Sequence, residues 1–179
     1  MRFRFLKALI PVVVGVLALQ GCALVKSTVT SFHDLPKSFS GESFVVAPID
    51  KSKESSLEFA SYAARIAGHL EKRGLKRAPD NGLTSADFVV FVGYGIDDGR
   101  TGFSGNETGV GSYVLYTRVL RVDIIDAQSI KSGNPKKRWE GVLKSSGSSG
   151  HLQETLPRLI DGMFRDFPGQ SGKTRSVSN

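Results

Sequence analysis

Apolar residues fall along this chain with two different periods. FVVAPID at 44–50 is a compact apolar run closed by a proline, which predicts a strand. After the polar break KSKESS, Leu57, Ala60, Ala63, Ala64, Ile66, Ala67 and Leu70 recur at helical spacing. Ser56 caps that pattern and Gly74 stops it, so 57–73 is predicted to be an amphipathic helix. DFVVFVGYGID at 87–97 alternates again. Phe88, Val90, Val92, Tyr94 and Ile96 share one face and Val89 and Phe91 the other, which predicts a central strand dry on both sides. On that reading Phe91→Ala costs about 3–5 kcal/mol. SYVLYTRVLRVDIIDA at 112–127 is predicted to be a long strand with one partly wet face, because Arg121 and Asp123 alternate with Leu120, Val122 and Ile124. RWEGVLKSSG at 138–147 reads as a fourth strand with Trp139, Gly141 and Leu143 inward. Leu152, Leu156, Leu159, Ile160, Met163, Phe164 and Phe167 trace a second helix within 151–167, with Pro157 implying a kink or a start near Thr155. The order β-α-β-β-β-α predicts an α+β fold. Its sheet is mainly antiparallel, of four to five strands, with two helices packed on one face.

The first 21 residues follow neither period. Arg2, Arg4 and Lys7 give a basic start, and 8–19 is apolar apart from Pro11 and Gly15. That is the layout of a secretory signal, and the run is shorter than the roughly 20 apolar residues a membrane span needs. An uncleaved membrane anchor is the alternative. Leu19-Gln20-Gly21-Cys22 contains the only cysteine of the chain and resembles the bacterial lipobox. The resemblance implies thioether attachment of diacylglycerol to the Cys22 thiolate, cleavage before Cys22, and acylation of the new amino group. Cys22 is therefore the expected lipidation site, and the membrane is the expected first partner. Two or more acyl chains anchor stably where one does not. Ala23 follows. By analogy with enteric bacteria, where aspartate at that place retains a lipoprotein in the inner membrane, Ala23 points to the outer membrane with the domain facing the periplasm.

The expected organisation is a signal peptide at 1–21, a lipidated N-terminus and tether at 22–43, an α+β domain at 44–168 and a flexible tail at 169–179. Val29 and Phe32 suggest a short edge strand inside the tether. Cleavage also changes the charge. The full chain carries 24 basic and 17 acidic residues, and loss of Arg2, Arg4 and Lys7 lowers its net charge from +7 to +4. A balance that small does not call for nucleic acid, and an envelope location argues against it.

Candidate chemistry is sparse. PGQSGKT at 168–174 has two residues between Gly169 and Gly172 where a phosphate loop needs four, and it follows a helix instead of a strand. Asp97, Asp98 and Gly99 lack the liganding pattern of a calcium loop and read as a turn. His33, His69 and His151 have no metal-ligand spacing. No catalytic, cofactor-binding or metal-binding residue is expected, and no cofactor. The glycine-rich stretch 93–111 reads as a long hairpin connection; a mobile binding loop with Phe103 and Asn106 is the alternative.

SLEFASYAARIAGHLEKRGLKRA, SADFVVFVGYGIDDG, RWEGV and MFRDFPGQSG, in that order, resemble the bacterial lipoproteins grouped as domain of unknown function family 4136. The resemblance covers roughly 40–170. It implies the fold and the location, and no activity or catalytic residue comes with it. The stretch 99–111 departs from the family's core pattern. The expected function is that of a non-enzymatic lipoprotein with a periplasmic binding or envelope-assembly domain, its partner an envelope protein or glycan. A lipid-anchored hydrolase with a site near 93–111 and a purely structural lipoprotein are the alternatives.

Overall fold

The computed structural model describes residues 26–36, 38–79, 85–106 and 109–178. The expected signal peptide and Cys22 lie outside the described residues. The elements in order are β1 (Lys26–His33), β2 (Ser43–Pro48), α1 (Leu57–Glu71), β3 (Lys76–Arg77), β4 (Phe88–Ile96), β5 (Arg100–Asn106), β6 (Gly109–Asp126), α2 (Ala127–Lys131), β7 (Lys137–Gly147), α3 (Leu152–Phe164) and β8 (Lys173–Ser178).

One sheet runs in the order β3-β2-β4-β6-β7-β1-β8, and β5 pairs with β6 beyond it. β2 is parallel to β3 and to β4, and every other pairing is antiparallel. The expected mainly antiparallel sheet of four to five strands with two helices is thus corrected, among the described residues, to a mixed sheet of eight strands with three α-helices and one 3-10 turn at Lys51–Lys53. The extra elements have a common cause: their sequences hold few apolar residues. β1 is KSTVTSFH, yet Ser27, Val29 and Ser31 are buried on one face between β7 and β8. It is an interior strand within the expected tether. β8 is KTRSVS, with Val177 alone buried, and it replaces the expected flexible tail. α2 is only five residues long. Asp126 Oδ1 caps it by accepting from Ser129 N–H at 2.8 Å.

The main core lies between the sheet and the paired helices α1 and α3. Ser56 caps α1, its Oγ accepting from Phe59 N–H. The buried face of α1 is Phe59, Tyr62, Ala63, Ile66, Ala67 and Leu70. Leu57, Ala60 and Ala64, expected inward, are exposed. α3 starts at Leu152 and holds Pro157 in its interior. Thr155 Oγ1 donates to the carbonyls of His151 and Leu152, so this buried hydroxyl is satisfied within the helix start. Trp139, 1% exposed, packs on Phe164 and Phe167 with ring centroids at 6.1 and 5.2 Å, and its Nε1 donates to the Pro168 carbonyl at 3.0 Å. A Cβ at Gly141 would enter the Trp139 ring, so glycine is required there by close approach.

The opposite face of the sheet carries a smaller cluster of Val45, Ala86, Val89 and Ala127, with Phe91 and Ile130 packed at its margin under α2. β4 is therefore central, as its pattern predicts. Phe91, however, is only half-buried, against a short helix. Its truncation to alanine is expected to cost about 1–2 kcal/mol, below the scale for a fully buried side chain. Urea melts of the full chain measure this; a loss of more than about 3 kcal/mol would show a tighter second core than the structure has.

Candidate interaction surface

β5 and the first half of β6 leave the sheet as a two-stranded arm. Arg100 pairs with Leu115, Gly102 with Tyr113, Phe103 with Ser112 and Gly105 with Val110. Directly opposed residues of an antiparallel pair share a face. Phe103, Val110 and Val114 therefore stand on one face of the arm, and Tyr113 and Leu115 on the other. All five are exposed, Phe103 by 74% and Val110 by 78%. The Tyr113 ring lies over Gly102, where any side chain would collide with it.

The arm is fixed at its root. Asp97 Oδ1 accepts from Thr117 N–H at 2.8 Å and from Gly99 N–H at 3.2 Å, and Asp97 N–H donates to the Thr117 carbonyl. The Thr117 amide, first of these causes, holds the Asp97 carboxyl below its ordinary range. Gly99 adopts a φ of 82°, which turns the chain back into β5. One residue past the root is Arg118, fully buried. Its Nη2 donates to the carbonyls of Ser149 and Gly147, while Nε and Nη1 have no partner among the described residues. Burial, and then Arg158 nearby, pushes its pKa down. Arg118 faces Ser145, which faces Ser27, and all three are buried. The core thus becomes polar at the end where the arm emerges.

The stretch 93–111 was expected as a connection or a mobile loop. It is instead the end of β4, the root turn, β5 and the start of β6. Asp97 and Asp98 sit at that turn, where Asp97 ties backbone amides together, as the turn reading expects. The three histidines lie apart. His33 Nε2 contacts the Gly169 carbonyl, His69 Nε2 contacts Asp161 Oδ1 at 2.8 Å beside Arg65, and His151 precedes α3. Among the described residues no three His, Cys, Asp or Glu side chains are grouped to hold a metal ion. A groove of 310 Å³ between β2 and α1 is lined by Val46, Pro48, Phe59, Ala63, Arg77 and Glu54. It brings together no nucleophile and base. Among the described residues, no helix is long and apolar enough to cross a membrane.

The family model described as Domain of unknown function (DUF4136) matches residues 28–169. The chain belongs to this family. The match begins within β1 and ends after α3, so the arm and both faces of the sheet fall inside it. No curated protein matches the sequence. Among solved structures, a DUF4136 family protein from Bacteroides thetaiotaomicron is 16% identical, with a TM-score of 0.49 over 81% of this chain and 97% of its own. A minor lipoprotein from Acinetobacter baumannii is 15% identical, with a TM-score of 0.36 over 71% of this chain and 89% of its own. A PDZ domain protein from Parabacteroides distasonis is 13% identical, with a TM-score of 0.49 over 86% of this chain. This chain spans only 39% of that protein's length. The DUF4136 resemblance expected from the word order at 40–170 holds on the family match over 28–169.

The strand expected at 112–127 already covers the arm's residues 112–115, but β5 and the first three residues of β6 were not legible. β5 offers one apolar side chain, Phe103, among Gly, Ser and Thr, so it carries no period of two. The available signal was the partner: Val110, Tyr113, Val114 and Leu115 continue the long strand N-terminally without a break.

Proposed function

We propose that this DUF4136 protein is a lipid-anchored lipoprotein of the bacterial outer membrane, attached through Cys22 with its domain facing the periplasm. The domain works by binding, as a contact or assembly module for an envelope protein or glycan, and not as an enzyme. The observation that carries this reading is the arm. A fixed scaffold projects a ribbon with five exposed apolar or aromatic side chains, the kind of surface that marks a contact site. The lipobox pattern at 19–22 supports the anchor.

Cys22→Ser tests the anchor. The substituted chain should lose fatty-acid labelling and should stop being processed at residue 22. Crosslinking in intact cells, followed by mass spectrometry of captured partners, tests the binding role. The parent chain should capture a defined envelope component, and the Cys22→Ser chain should lose it. Undiminished fatty-acid labelling of the substituted chain contradicts the anchor, and a parent chain that captures nothing contradicts the binding role.

A further inference from the structure

We propose that the β5–β6 arm rests on the bilayer to which the chain is anchored, with Phe103 and Val110 set into the headgroup region. The proposal rests on Cys22 as the lipid attachment site and deepens the contact reading of the arm: its apolar side chains meet lipid, and an envelope protein or glycan is left to the rest of the domain.

The register places anchor and arm at one end of the sheet. Lys26 pairs with Ser146, and Ser146 pairs with Thr117 at the arm's root. β1 is antiparallel to β7 and β7 is antiparallel to β6, so β1 and β6 run in the same direction. The residues before Lys26 and the residues before Thr117 therefore leave the sheet at the same end, from the same level.

Lengths then decide which reaches further. Cys22 is four residues from Lys26, a reach of at most about 14 Å when fully extended. Gly109 is eight residues from Thr117, which at strand rise is about 26 Å. Phe103, opposite Ser112, stands about 16 Å from the root and Val110 about 23 Å. Gly109 outreaches the fully extended tether by about 12 Å and Val110 by about 9 Å, while Phe103 stands about level with its end; interfacial elements sink about 5–10 Å into the headgroup and acyl boundary. A lipid at Cys22 brings the bilayer surface to the outer half of the arm, where Phe103 and Val110 are.

The chemistry of the arm fits that depth. Between Thr101 and Tyr116 the sequence has a single charge, Glu107. Phe103, Val110 and Val114 give one apolar face, and Tyr113 on the other face is a side chain suited to a membrane–water interface. The ribbon cannot go deeper. β6 pairs with β7 only from Tyr116 onward, and β5 pairs only with β6 among the described residues. The outer edges of the arm thus carry unpaired backbone N–H and C=O groups, which hydrocarbon excludes and headgroups accept.

The test uses the full chain, in which acylated Cys22 leaves any introduced cysteine as the sole free thiol. Phe103→Cys, Val110→Cys and, as a control at the far end of the sheet, Gln128→Cys are labelled with an environment-sensitive dye. Each chain is reconstituted into phosphatidylethanolamine–phosphatidylglycerol vesicles. Labels at 103 and 110 should shift to the blue, lose most of their quenching by aqueous iodide, and be quenched more by headgroup-level than by deep spin-labelled lipid. The label at 128 should stay fully accessible to iodide. The mass of the purified chain is read alongside. A chain without acyl mass at residue 22 overturns the anchor and this proposal with it. An acylated chain whose labels at 103 and 110 match the label at 128 overturns the arm's placement alone. Rapid disulfide crosslinking of the Phe103→Cys or Val110→Cys chain into dimers in the vesicles, with no blue shift of the label, shows the arm against a second copy of the chain and also overturns it.

Discussion

Trp139→Ala should lower the stability of the domain by about 3–5 kcal/mol, the scale for truncating a fully buried aromatic. Trp139 joins three parts of the fold. It sits on β7, stacks on Phe164 near the end of α3, and meets Phe167 in the turn that leads to β8. Phe164 and Phe167 also touch each other at 5.4 Å, so removing the indole opens a cavity walled by two rings. The Pro168 carbonyl loses its donor at the same time. Trp139→Phe should cost less, since a ring still fills most of the space while the Nε1 bond is lost. Urea melts of the two variants read this order. A loss below about 1 kcal/mol for Trp139→Ala would mean that the three parts are not joined there.

A chain ending at Gly172 should be destabilised by a similar amount, about 3–5 kcal/mol, although it loses only residues that read as a polar tail. Val177 is buried, and its removal costs roughly 1.5–3 kcal/mol. Arg175 donates from Nη2 to the carbonyls of Met163 at 2.8 Å and Gly162 at 3.1 Å, close to the end of α3. Bonds from a charged donor contribute about 1.5–3 kcal/mol, and a cation suits the negative end of a helix. The truncation also bares the edge of β1 from Lys26 to Ser31, so the shortened chain should self-associate as well as melt early. An unchanged urea midpoint would return this segment to the flexible tail that its composition suggests.

How far the sequence carries depends on where each element lies. The elements that touch the main core announce themselves, because burial on one face forces a period. β4, β7, α1 and α3 were all legible within a few residues, and Trp139, Gly141 and Leu143 do point inward. The strand–helix–strand order at 44–97 is matched by the parallel β2–β4 pair across α1. β1 was legible only as a short edge strand around Val29 and Phe32, and β8 was not legible. They lie at one end of the sheet, and Ser27 and Ser31 stand at buried positions that a larger core would give to apolar residues. Arg175 hides the buried face of β8 for the same reason: it is a charged residue whose head meets helix carbonyls instead of solvent. α2 is too short to show a helical period. The exposed arm was half legible. Phe103 and Val110 lie in the stretch 93–111 and Tyr113, Val114 and Leu115 in the strand expected at 112–127, but β5 is hidden by its glycines. Cys22 lies outside the described residues, and its proposed role rests on its isolation and its place behind an apolar run.

The central claim is that lipid at Cys22 holds this domain to a membrane. The most direct measurement is the mass of the N-terminal peptide of the mature protein, taken from the membrane fraction of cells expressing the full chain. The predicted result is a peptide that begins at Cys22 and carries a diacylglyceryl group on sulfur and an acyl group on the amino terminus. A membrane-derived chain that retains residues 1–21, or one that begins elsewhere with an unmodified Cys22, would contradict it.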